Sequence, residues 1–259
     1  MKRTLHKMLS LIIVGLLIAY LALTSSFVNK KEQQLMCKAI RITVCDSAIN
    51  RFVRPIDIKD LLEKENKKLI GTPLHQINTY ELEQLLNARS VIKNTDVFSS
   101  IDGTVNIKIK QRRPIVRMQT RNENFYIDEI GYIFPLSVIY TSYVPIVTGN
   151  IPMSVSSNYR GEIPASDKFL RQLYEFATFL QKHNFWQAQI LQIHVTNGRE
   201  VELVPRMGNQ IIKLGGLDDV EYKLDKLYAF YQKAMPVEGW NKYKILDLRF
   251  SNQVVCTLK

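Results

Sequence analysis

The chain has 259 residues, 46% of them apolar and 23% charged, a balance that excludes a disordered chain and leaves room for two domains of ordinary size. Its formal net charge is +11, which suits an anionic partner such as nucleic acid, anionic lipid or a cell-wall polymer. Three cysteines without a CxxC spacing argue for packing or free thiols rather than a disulfide scaffold or a zinc site.

Residues 9–28 carry no charge, and Lys2, Arg3 and Lys7 precede them. About twenty apolar residues of helix cross a bilayer core, and a basic N-terminal flank holds that side in the cytoplasm. The pattern predicts a cytoplasmic tail over residues 1–8, a transmembrane helix over 9–28, a polar linker over 29–36 (NKKEQQLM), and the remainder in the periplasm or outside the cell. A cleaved signal peptide is the rival reading, with Ala19 to Ala22 as its small-residue cleavage site. The continued apolar run through Phe27 and Val28 favours a retained anchor, and this topology removes nucleic acid as a partner.

Ile40, Ile42 and Val44 alternate with Arg41 and Thr43, the period of a half-buried strand. Cys37 and Cys45 on one extended strand would stand roughly 26 Å apart, too far for a disulfide. A helix is predicted from Pro55, with Ile58, Leu61, Leu62 and Leu69 on one face. Asn78 and Glu81 read as the start of a second helix that buries Leu82, Leu85 and Leu86. Two strands follow, over 91–98 and 105–110, joined by a turn at Asp102-Gly103. The order is strand, helix, helix, strand, strand.

Beyond Pro114 the pattern becomes mostly strands. Segments 125–128 and 132–134 flank a turn at Gly131, and 144–149 follows. Ser166 or Asp167 starts a helix carrying Leu170, Leu173, Tyr174, Ala177 and Leu180. Leu191, Ile193 and Val195 lead to an Asn197-Gly198 hairpin signal, and strands are predicted through 201–203 and 211–214. Asp218 with Glu221 starts a last helix carrying Val220, Leu224, Leu227, Tyr228 and Tyr231. Two strands close the chain, over 243–250 and 254–258.

These features in this order resemble the FtsQ/DivIB family of bacterial cell-division proteins. VNIKIKQRRPIV (105–116) resembles the family's strand ending in a basic residue and proline, and FYIDEIGYIFPL (125–136) its aromatic, Asp, Gly, aromatic hairpin. VPIVTG (144–149), IIKLGG (211–216) and ILDLRF (245–250) fall in the family's order. Phe250 stands where the family often has tyrosine, and Ser251 to Gln253 lacks the glycine of its following turn. The resemblance implies an α+β protein: a POTRA domain over 37–112 and a mostly antiparallel β domain with packed helices over 113–259. It also implies a non-catalytic, single-pass scaffold of the divisome at the septum of the cytoplasmic membrane, gathering FtsB-like and FtsL-like partners, with no cofactor and no small-molecule substrate. The bilayer is its other partner, through the N-terminal helix.

The chemistry offers two alternatives. Ser90-Val-Ile-Lys93 has the SxxK form of penicillin-recognising enzymes, and Ser156-Ser157-Asn158 could pose as a second element, but no KTG follows. A membrane-anchored cell-wall enzyme is therefore disfavoured, with Ser90 read as a helix end. A POTRA-type chaperone of outer-membrane assembly would show repeated units or a following barrel. His6, His75, His183 and His194 are scattered, without metal spacing. Asp57 with Asp60 and Asp218 with Asp219 read as helix-start carboxylates.

Two surfaces remain. Lys108, Lys110 and Arg112 alternate with Ile107 and Ile109, and Arg113 extends a possible basic patch, otherwise the solvated face of a strand. The uncharged last strand, Val254, Val255, Cys256, Thr257 and Leu258, is an aggregation hazard as a sheet edge unless something covers it. Strand addition by a partner would do so. The predicted partner site is that strand with Tyr243, Phe250 and Asn252.

Overall fold

The computed structural model describes residues 14–20 and 35–259. Residues 14–20 form a helix, α1, with exposed side chains. The remainder of the predicted membrane span, the cytoplasmic tail, most of the linker and His6 lie outside the described residues. Among the described residues no helix is long and apolar enough to cross a membrane.

The chain divides into two compact units, one containing Val53–Gln111 and the described residues up to Ser47, the other Ala48–Phe52 and Arg112–Lys259. In the first unit, β1 (Ala39–Val44), α2 (Pro55–Lys64), α3 (Thr79–Asn87), β2 (Ile92–Ser99) and β3 (Thr104–Gln111) follow in order. Strand β3 is central, parallel to β1 and antiparallel to β2. Its Val105, Ile107 and Ile109 are fully buried, as a strand covered on one face by helices requires.

Pro55 opens α2, where its fixed φ suits a first turn, and Asp57 accepts bonds from the Arg54 amide and guanidinium. Ile58, Leu61 and Leu62 are its buried stripe. The helix ends at Lys64, and Asn66 turns left-handed with φ 53°. Leu69, predicted on the same helical face, is therefore buried from the following loop. Asn78 caps α3 by accepting the Glu81 amide at 3.1 Å.

The second unit is built on a ten-stranded sheet of β4 (Pro114–Gln119), β5 (Asn124–Asp128), β6 (Tyr132–Pro135), β7 (Ile146–Gly149), β8 (Gly161–Glu162), β9 (Ile190–Val195), β10 (Val201–Pro205), β11 (Ile211–Gly215), β12 (Tyr243–Asp247) and β13 (Val255–Leu258). The order across it is β13-β12-β11-β10-β9-β7-β4-β5-β6-β8. The hairpins are antiparallel, but β4 with β7, β7 with β9, and β11 with β12 are parallel. Parallel neighbours need a crossover: α4 (Lys168–Lys182) and the short α5 (Asn184–Gln189) lie between β7 and β9, and α6 (Val220–Lys233) and α7 (Met235–Glu238) between β11 and β12. Leu170, Leu173 and Leu180 of α4 and Leu224 and Leu227 of α6 share one apolar core with the strands.

Three expectations change here. The predicted strand over 243–250 stops at Asp247. The Asp167 carboxylate does not cap α4; it accepts bonds from the Ser154 amide and hydroxyl. Asp219, in a left-handed conformation, precedes α6, while Asp218 pairs with Lys223 at 3.1 Å. The short segment before Val53 also has an unexpected role. Phe52 packs edge-on against Tyr126, Phe134 and Tyr140 of the second unit, with centroids 4.9–5.9 Å apart.

Candidate partner-binding edge

Strand β13 is one end of the ten-stranded sheet, paired among the described residues with β12 alone. Tyr243, Ile245, Leu246 and Asp247 face Leu258, Thr257, Cys256 and Val255 across this hairpin. Alternation divides the strand. Val254 and Cys256 pack toward the core, whereas Val255, Thr257 and Leu258 are exposed. Tyr243 is half-buried, its ring 5.7 Å from Phe230 of α6. Phe250 is exposed on the connecting turn.

That turn is held from two sides. Lys226 Nζ on α6 donates to the carbonyls of Leu248 and Phe250 at 3.0 and 2.5 Å. One turn earlier on the helix, the Tyr222 hydroxyl donates to Asn252 Oδ1 at 2.7 Å and accepts the Asn252 amide at 2.9 Å. Asn252 has φ 59°, a left-handed conformation that asparagine tolerates better than most residues. Below the turn, Arg249 grips Asp247 through Nη2 at 2.7 Å and reaches Glu200 on the β9–β10 connection at 3.2 Å. Its guanidinium holds the Asp247 carboxyl below the usual carboxylate range. Gly215, at φ +79°, leaves room for it: a Cβ there would stand 2.8 Å from Arg249 Cγ.

The predicted partner-site residues are thus gathered on one hairpin, but Tyr243, Val254 and Cys256 support it from within. The residues that shape the turn, Tyr222, Lys226, Arg249 and Glu200, were not among them. On α6, Tyr222 and Lys226 have the i, i+4 spacing of any solvated helix face, so the sequence carried no sign of their distant target.

The predicted basic patch is divided between the units. Lys108 and Lys110 are exposed on β3, with Lys108 5.1 Å from the Phe98 ring. Arg112, expected on a solvated face, is instead largely buried in the second unit. Its Nη1 lies 2.9 Å from Asp128, which is fully buried, and its guanidinium lies over the Tyr132 ring at 3.4 Å. Asp128 also accepts the Ile130 and Tyr132 amides, so the aspartate of the FYIDEIGYIFPL segment builds the turn. Arg113 is exposed.

Ser90 and Lys93 lie around the α3–β2 junction. His183 bonds the Phe179 carbonyl at 2.9 Å, His194 lies 3.1 Å from the Thr148 hydroxyl, and His75 is exposed. Cys37, Cys45 and Cys256 are free thiols. Among the described residues no group of His, Cys, Asp and Glu is placed to hold a metal ion.

The family model described as FtsQ/DivIB, C-terminal related, matches residues 113–257, and a POTRA-like domain matches residues 35–110. The chain belongs to the FtsQ/DivIB family. A cell division protein FtsQ of Rhodothermus marinus is 26% identical over 160 residues, covering 59% of this chain and 55% of the relative. The match therefore spans little more than half of that relative's length. Membership of the FtsQ/DivIB family supports a role in cell division.

Proposed function

We propose that the protein is a non-catalytic, single-pass scaffold of the bacterial division apparatus, anchored by residues 9–28, with the POTRA-like unit and the β domain on the far side of the cytoplasmic membrane. It acts by protein–protein binding, gathering FtsB-like and FtsL-like partners during septum assembly. The observation that carries this reading is the β13 edge, which no strand covers among the described residues and which is held in shape by contacts from α6 and by the Arg249 clamp. A partner strand would bond to the free backbone groups, and Phe250, Val255 and Leu258 offer exposed apolar contacts beside it.

The test is capture of an FtsB-like partner by a soluble fragment of residues 29–259, compared with one ending at Asn252, which lacks β13. Circular dichroism confirms folding of both. Loss of capture by the folded shorter fragment is expected, and undiminished capture places the site elsewhere.

A further inference from the structure

We propose that β1 of the POTRA-like unit is a second strand-addition site, which accepts an extended, acidic segment of another protein whose apolar side chains alternate with carboxylates. The proposal deepens the scaffold reading by giving the first unit a binding surface of its own.

Three observations converge on β1. First, among the described residues it is an edge strand, paired with β3 alone. Just before it, Cys37 exchanges backbone bonds with Gly71 and Thr72 at 2.8 and 2.9 Å. Among the described residues nothing continues that pairing along Ala39–Val44. Second, its inward side chains are incompletely covered. Ile40, Ile42 and Val44 are only half-buried, whereas Ile107 and Ile109 of the adjacent strand are fully buried. Ile40 and Ile42 line a groove of about 560 Å³ whose other wall includes Leu62 of α2 and Ile70. Third, the rim is basic. Lys38, Lys59, Lys67 and Lys68 surround the groove with Glu63 as the sole acid lining it, and among the described residues Lys67 is paired with Glu81.

An edge with alternating apolar sockets selects alternate side chains of an added strand, and the lysines select their sign. The same charge disfavours two nearer occupants. A second copy would lay its own Lys38 and Arg41 against this edge, and the chain's linker brings Lys30 and Lys31. The opposite edge of this sheet is obstructed: Glu83 Oε1 on α3 accepts the Val97 amide of β2 at 2.7 Å.

The experiment uses the full chain in detergent micelles and a labelled peptide of about ten residues, an ordinary strand length, in which valine alternates with glutamate. Fluorescence anisotropy measures binding, and hydrogen exchange locates it. The expected results are saturable binding, protection within residues 39–44, and at least about tenfold weaker binding of the peptide with lysine in place of glutamate. Lys59→Glu with Lys68→Glu should weaken binding by a similar factor while capture of the FtsB-like partner at β13 persists. Should that variant misfold, the milder Lys59→Gln with Lys68→Gln takes its place, with a severalfold loss expected. No binding, equal binding of both peptides, or protection on β2 or β13 instead would overturn the proposal. Capture at β13 is read separately, so loss of this groove and loss of the scaffold reading are distinguishable.

Discussion

Proline substitution in β13 separates the partner-facing backbone from the hairpin that presents it. Lys259 donates its amide to the Lys242 carbonyl at 3.2 Å. Amides alternate sides along a strand, so those of Thr257 and Val255 also face β12, while those of Leu258 and Cys256 face the open edge. The register shift between Tyr243 and Ile245 falls in β12 and leaves this alternation intact. Leu258 is 59% exposed, so Leu258→Pro removes an edge donor with little loss of packing. A backbone hydrogen bond is worth about 1 kcal/mol net, and the proline ring also occupies the plane in which an added strand would lie about 4.8 Å away. Together these weaken partner binding by on the order of 2 kcal/mol, about thirtyfold. Val255→Pro breaks a bond inside the hairpin instead and should lower stability and affinity together. Binding isotherms with the FtsB-like partner and denaturant melts of the same proteins check both. Wild-type affinity in a folded Leu258→Pro variant would refute the strand-addition geometry.

Arg112→Met leaves the fully buried Asp128 without its cation and should destabilise the second unit by roughly 3–5 kcal/mol; denaturant unfolding reads this, and Arg112→Met with Asp128→Asn should recover part of the loss. Because Arg249 holds the Asp247 carboxyl below its ordinary range, that ionised group contributes stability fully above about pH 4 and loses it as pH falls through the depressed value. The advantage in thermal midpoint of the wild type over Asp247→Asn should accordingly shrink on acidification, and an advantage unchanged down to pH 2 would contradict the clamp. Cys45 is exposed, Cys37 is buried and Cys256 is half-buried with its thiol pushed up by burial. An impermeant maleimide applied to intact spheroplasts should therefore label Cys45 first, whereas labelling only after lysis would reverse the proposed topology.

What sequence could show here was local. The alternation of Ile40, Ile42 and Val44, the Asn78 cap and the apolar stripes of α3, α4 and α6 each depend on residues within a few positions, and each reappears in the structure, although Tyr228, predicted with the α6 stripe, is exposed. Long-range relations were out of reach. Parallel pairing of β4, β7 and β9 has no signature in the strands themselves, since β4 reaches β7 through the β5–β6 hairpin and β7 reaches β9 through α4 and α5, and neither connection names the strand it returns to. Arg112 looked solvated because it follows an alternating basic stripe; its partner is a carboxylate 16 residues away. Phe52 reads as an isolated aromatic, yet it completes a ring cluster with Tyr126, Phe134 and Tyr140. At the candidate site, the edge strand was legible from its uncharged composition, while the Tyr222 and Lys226 contacts that shape its turn span 22 to 30 residues.

Whether this chain acts as a division scaffold is decided by depleting it in its host while a fluorescent fusion of the full chain reports its position. Depleted cells should grow without completing septa, and the fusion should concentrate at the division site and restore division. Normal division after depletion, with the fusion spread evenly around the cell, would contradict that role.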